Sequence, residues 1–212
     1  MYGFSFSQES EHDQAISAYF KASHFLPGCH LPLLYIGVEY ILTDNFRLGE
    51  KFIIKALSIA PDDPLALHEL AIIAFHSNEY IKFNYLIYFH NFNFSRVAKA
   101  ERFLQSALKI LKYQNQSLIL PNRYDTLLNN MGHVLRKLGK YSDAIEFHKK
   151  ALMMSPQNAS SYFSIGLIYC MMGKWNEAVE NLDYVCDLRF VLFKICYPVF
   201  FYRLLVFTNY LG

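Results

Sequence analysis

The chain has 212 residues, a net charge of +2 with histidines neutral, and 53% hydrophobic residues. That length can bury a sizeable core, and the near-neutral charge removes any global electrostatic drive toward nucleic acid or an anionic membrane. The cysteines (Cys29, Cys170, Cys186, Cys196) form no CxxC pair and have no histidine at zinc-ligand spacing, so buried thiols in a reducing compartment are expected, with no metal or cofactor.

In chain order, the first element pair carries small residues at Gly3, Ala15 and Ala22 and ends at Pro27. No basic-then-apolar leader precedes it, so a nuclear or cytoplasmic location is expected. Gly3 stands where the second turn of a helix should be, so the array is expected to begin inside a helix. The next pair repeats the spacing 34 residues on, with Gly37, Gly49, Ala56 and Pro61. A third begins at Pro64 with Ala71 in the glycine position, but its next small residues, Ala100 and Ala107, fall 17 residues late. Removing Ile81 to Val97 restores the register, which predicts an insertion at 81–97 in the turn between two helices, where extra chain costs least. Asn115, Gln116 and Pro121 then predict a longer second helix followed by a linker. The fourth pair has Gly132, Ala144, Ala151 and Pro156, and the fifth Gly166, Ala178 and Val185 without the closing proline.

Numbering each repeat so that its proline is position 32, positions 8, 20 and 27 are small in nearly every copy. Antiparallel helices crossing at close range need small residues where their backbones meet. Bulky residues at position 24 (Tyr19, Ile53, Leu104, His148, Leu182) fill the surrounding space, and the proline stops the second helix. This is the tetratricopeptide pattern, one helical hairpin per repeat, stacked because a lone hairpin cannot bury its apolar face. The expected fold is all-α, a tetratricopeptide-repeat superhelix of about five repeats with the first truncated. The repeats are placed at 1–29, 30–63, 64–114 (with insertion 81–97), 125–158 and 159–189, followed by an aromatic tail at 190–212.

The insertion and the tail are alike. Together they hold 14 of the 36 aromatic residues and none of the 18 acids. Phe, Tyr, Asn, Ile, Leu and Lys are what translated A/T-rich DNA yields, so both segments read as sequence foreign to the repeats, such as translated intron. An aromatic partner-binding loop is the alternative for the insertion. Lys194, Pro198 and Arg203 interrupt the tail too often for a membrane span.

First helices line the concave face of such an array, through positions 2, 5, 6, 9, 12 and 13. The candidate groove comprises Leu34 and Val38 in repeat two, His68 and Ile72 in repeat three, and Phe163 and Leu167 in repeat five. Repeat four adds Asn129, Asn130, His133, Arg136 and Lys137. The Asn pair could hydrogen-bond a peptide backbone. The basic residues would favour a carboxylate, or serve only as a solvated helix C-terminus. No phosphate loop, G-x-S-x-G or HExxH is present, and nothing orients Cys170 and His133 as nucleophile and base, so no catalytic residue is assigned. A co-chaperone-type clamp for acidic tails is the alternative function. It needs Lys or Arg at positions 2, 5 or 6 in successive repeats; position 2 here reads Leu31, Leu65, Thr126 and Ser160, and position 6 reads Tyr35, Glu69, Asn130 and Ser164.

Beyond the skeleton, the strings HLPLLYIGVEYILT (30–43), KALSIAPDDPLALHELAIIAF (55–75), LLNNMGHVLRKLGKYSDAIEFHKKALMMSPQNASSY (127–162) and EHDQAISAYFKAS (11–23) resemble one family. It is the tetratricopeptide scaffold subunit of the anaphase-promoting complex, or cyclosome, of the cell-division-cycle sixteen type (subunit six). The resemblance covers residues 2–80 and 98–189 and falls on that family's C-terminal repeats. It implies a non-catalytic subunit of a cell-cycle ubiquitin ligase. The implied partners are a small accessory subunit of the cell-division-cycle twenty-six type, held in the inner groove, and other tetratricopeptide scaffold subunits. It implies no nucleic acid and no membrane, and leaves the family's dimerising N-terminal repeats outside this chain.

Overall fold

Residues 2–80, 90–114 and 124–188 of the computed structural model are described; the expected linker at 115–123, residues 81–89 of the expected insertion, and the tail lie outside them. The described residues are helical hairpins: α1 (Tyr2–Gln8) with α2 (His12–Phe25), α3 (Leu31–Leu42) with α4 (Phe46–Ile59), α5 (Pro64–Tyr80) with α6 (His90–Gln114), α7 (Asp125–Lys137) with α8 (Tyr141–Met154), and α9 (Ala159–Met171) with α10 (Trp175–Leu188). They fall into two compact units, residues 1–120 and 121–212. In each unit, consecutive hairpins pack second helix against the next first helix.

The small residues act where the spacing places them. Gly37 and Gly49 face each other across α3 and α4, and a Cβ added to either would lie 3.1 Å from the other's carbonyl oxygen. Such a Cβ would also strike the position-24 side chain in four hairpins: Tyr19 opposite Gly3, Ile53 opposite Gly37, His148 opposite Gly132 and Leu182 opposite Gly166. Position 8 is thus a slot for position 24. In the third hairpin Ala71 and Leu104 share the corresponding interior, both buried. Leu34, Ile53, Ala56, Ala66, Leu70 and Ile73 form a continuous core through α3, α4 and α5. Full burial of each large aliphatic side chain stabilises by roughly 1.5–3 kcal/mol.

The prolines do what their position requires. α2, α4 and α8 end two residues before Pro27, Pro61 and Pro156, and the intervening cap N–H bonds back to the carbonyl of Ala22, Ala56 or Ala151. Helix starts use side-chain caps in places. Asn45 Oδ1 accepts from Leu48 N, and Asn158 Oδ1 accepts from Ser160 N and Ser161 N.

The third hairpin differs from expectation. α5 has 17 residues and α6 has 25, against 14 in α4 and α8. The last eight residues of the expected insertion are not loop: 90–97 open α6 as helix, and Val97 is buried. Extra chain here lengthens helices as well as their connection, because an added turn of helix satisfies its own backbone hydrogen bonds. At the other end α6 runs on to Gln114, as the predicted longer second helix does.

Candidate binding face and its buried histidine pair

The first-helix positions separate by depth. Position 5 turns inward: Leu34 is 2% exposed, His68 8% and Asn129 9%, while Phe163 is half-buried. Position 9 is half-buried in every case (Val38, Ile72, His133, Leu167). In the second unit Asn130, Arg136 and Lys137 are also half-buried. The accessible candidate residues of the first unit are therefore Val38 and Ile72, on the packed helices α3 and α5. Those of the second are Asn130, His133, Arg136 and Lys137 on α7 with Phe163 and Leu167 on α9.

Asn129 and Asn130, adjacent in sequence, serve different places. Asn129 Oδ1 lies 2.7 Å from His148 Nδ1 on α8 and 3.0 Å from Ser161 Oγ on α9. Its Nδ2 is 3.4 Å from His133 Nε2, one turn along α7. One carboxamide thus ties three helices and two hairpins together. His148 is 0% exposed and Ser161 0%, so these bonds are dry. A buried carboxamide left unpaired there would cost its desolvation, about 1–3 kcal/mol. The peptide-binding role expected for the Asn pair therefore rests on Asn130, because the carbonyl of Asn129 is occupied inside the fold.

The two histidine rings meet edge to face with centroids 5.0 Å apart. Burial, then the positive charges of Arg136 and Lys137, lower the His133 pKa from 6.5 to about 4. Burial, then His133 and Arg136, lower that of His148 to about 3. Both rings are neutral near pH 7, so among the candidate residues of this face the positive charge comes from Arg136 and Lys137. Arg136 Nε is buried and meets no hydrogen-bond acceptor among the described residues. Burial raises the Cys170 thiol above its usual range, which disfavours the thiolate a nucleophile would need. Among the described residues no cluster of three or more His, Cys, Asp or Glu could hold a metal, and no helix is long and apolar enough to cross a membrane.

Sequence reasoning missed a polar tie in the first unit. Glu39, 1% exposed on α3, receives His12 Nδ1 of α2 at 2.8 Å. A second contact, between the two ends of repeat two, joins His30 Nε2 to Asp63 Oδ2 at 3.0 Å. The only sequence signal for the first was an acid inside the apolar run LPLLYIGVEYIL.

A family model described as TPR repeat matches residues 132–173, which cover the C-terminal part of α7, all of α8 and α9 and the turn that follows. The chain is 43% identical over 89% of its length to "Cell division cycle protein 16 homolog" of Homo sapiens. It is 34% identical over 82% of its length to "Anaphase-promoting complex subunit 6" of Arabidopsis thaliana. It spans only 27% and 28% of those two relatives. Among solved structures, the crystal structure of the APC/C hetero-tetramer Cut9-Hcn1 aligns with a TM-score of 0.75 and 28% identity, over 88% of this chain and 32% of that one.

Proposed function

We propose, from a chain homologous over most of its length to about a quarter of cell division cycle protein 16, that it is a non-catalytic scaffold segment of the anaphase-promoting complex. The observation that carries this is the 43% identity sustained over 89% of the chain. A shared hairpin fold alone leaves the residues between the spaced small positions free to vary, and here they agree as well. Its place of action on this reading is the nucleus and cytoplasm.

The finer proposal concerns partners. That the similar chain Cut9 was solved in a hetero-tetramer with Hcn1 supports a second protein as partner, and on the sequence resemblance we take it to be a small accessory subunit of the cell-division-cycle twenty-six type, held in the groove. In the second unit the ligand would meet Asn130, Arg136 and Lys137 on α7 and Phe163 and Leu167 on α9. In the first unit, taken by itself, Val38 and Ile72 are the corresponding candidate contacts. Apolar side chains supply contact area, while Asn130 and the two cations supply direction. Other scaffold subunits would dock on remaining faces.

The test is fluorescence anisotropy with the full chain and a labelled N-terminal peptide of the accessory subunit. Arg136→Glu with Lys137→Glu should weaken binding at least tenfold, about 1.4 kcal/mol. Unchanged affinity in that variant removes the residue assignment. No binding by the parent chain removes the partner. An acidic chaperone-tail peptide binding more tightly than the accessory peptide would favour the co-chaperone alternative.

A further inference from the structure

Gly132, Asn129 and the two histidines form a chain of constraints that places each imidazole proton. His148 Nε2 is buried and has no hydrogen-bond partner. It points at Gly132 so closely that a Cβ there would lie 2.5 Å from it. A hydrogen on that nitrogen would be driven against α7 with no acceptor to receive it, and a buried donor in that position is disfavoured. The proton of the neutral ring therefore sits on Nδ1. From there it can only be donated, and the atom 2.7 Å away must be an acceptor, which makes it the carbonyl oxygen of Asn129. The Ser161 hydroxyl donates to the same oxygen at 3.0 Å, filling both its lone pairs.

With its oxygen fixed, the Asn129 amide must direct Nδ2–H at His133 Nε2, 3.4 Å away. That nitrogen then accepts and carries no proton of its own. We infer that Asn129 is a positioning residue that sets both tautomers, so that His133 presents an N–H donor at Nδ1 rather than a lone pair or a positive charge. Burial and the nearby cations Arg136 and Lys137 keep the ring neutral, in agreement with its lowered pKa of about 4. No group among the described residues hydrogen-bonds to His133 Nδ1.

The consequence for recognition rests on the groove proposed above. A neutral donor flanked by two cations selects a carbonyl oxygen of the ligand backbone. It adds no charge-based preference for a carboxylate, and Arg136 and Lys137 remain to supply that. His133 would read the presence of an acceptor and Arg136 with Lys137 its surroundings.

The test does not need a ligand, so its failure is separate from failure of the groove proposal. Long-range proton–nitrogen correlation spectra of the full chain at neutral pH report which ring nitrogen of each histidine is protonated. The two rings are assigned by the signals lost in His133→Gln and His148→Gln. Both rings are expected neutral and protonated at Nδ1. A proton at Nε2 of either ring overturns the inference. Asn129→Asp provides the second measurement. A carboxylate accepts but cannot donate, so the His133 proton should move to Nε2, or the ring should become doubly protonated, while His148 keeps its Nδ1 proton. A merely structural Asn129 would leave the His133 pattern unchanged, and that result would also overturn the inference. Should the variant fail to fold, the parent spectrum alone decides.

Discussion

His148 and Gly132 share one slot between α8 and α7: a methyl group on residue 132 would stand 2.5 Å from the His148 ring nitrogen. Helix propensity alone favours alanine over glycine in a helix interior by about 1 kcal/mol. Overpacking opposes this, and here the clash meets a ring already held by Asn129, which cannot swing away without breaking that bond. Gly132→Ala should therefore destabilise by ~1–3 kcal/mol. Urea denaturation of the full chain followed by circular dichroism measures it. An unchanged or raised midpoint would show that the ring yields without cost.

The same two histidines predict an acid sensitivity. Their folded pKa values, about 4 for His133 and about 3 for His148, lie below the ordinary 6.5. Between those limits the unfolded chain binds more protons than the folded one, so stability rises with pH across the window. Their contribution is present in full above about 6.5 and is lost as the pH falls toward 4 and 3. The charged side chains that act on the pair are Arg136 and Lys137, and both stay cationic across this window. At pH 5 the loss should be on the order of 1–2 kcal/mol per ring. The chain has six other histidines, so the effect is isolated by comparing denaturation midpoints of the parent and His148→Gln between pH 6.5 and 5. His148→Gln should flatten the slope; an equally steep slope in that variant would exclude the pair as its cause.

Every hairpin with a described turn places position 15 in the left-handed region: Ser10 at φ 61°, Asp44 at 60°, Gly139 at 75° and Gly173 at 72°. Two of the four already have the residue this backbone prefers. Asp44→Gly should gain stability and Gly139→Ala lose it, each by roughly 1 kcal/mol. No atom lies within 4 Å of a Cβ at Gly139, so packing does not confuse the sign. Differential scanning calorimetry on both variants compares them directly. A shift of the same sign in both would rule out backbone strain as the cause.

These turns explain what the sequence could and could not disclose. Positions 8, 20 and 27 were legible because close helix crossing accepts few residue types, so Gly37, Ala144 and Ala151 announce themselves. Position 15 was not, since Ser, Asp and Gly all tolerate the conformation and share no obvious chemistry. Depth on the first helix was only partly legible. Spacing put positions 5 and 9 on one face, yet Leu34, His68 and Asn129 at position 5 are interior. Helical period gives direction around one helix; it does not say how far the neighbouring helix reaches across that face. The insertion shows a similar limit. The register placed the whole insertion in the turn between two helices, yet 90–97 is helix.

Glu39 and His12 supply the last prediction. The carboxylate is nearly inaccessible, and its imidazole partner, 2.8 Å away, keeps 27% of its side-chain surface in solvent. Removing a partner from a buried charge costs more than the pair itself contributes, because the survivor keeps its desolvation penalty. The exposure of His12 moderates this, since truncating it admits water to Glu39. His12→Ala should therefore cost ~1–3 kcal/mol, toward the lower end for a partly wet site. In a Glu39→Gln background no charge is stranded, so the same truncation should cost at least about 1 kcal/mol less. Urea denaturation of the parent, both single variants and the double variant closes the cycle. Additive losses would mean that the contact across α2 and α3 holds nothing together, and that Glu39 is stabilised by some other group.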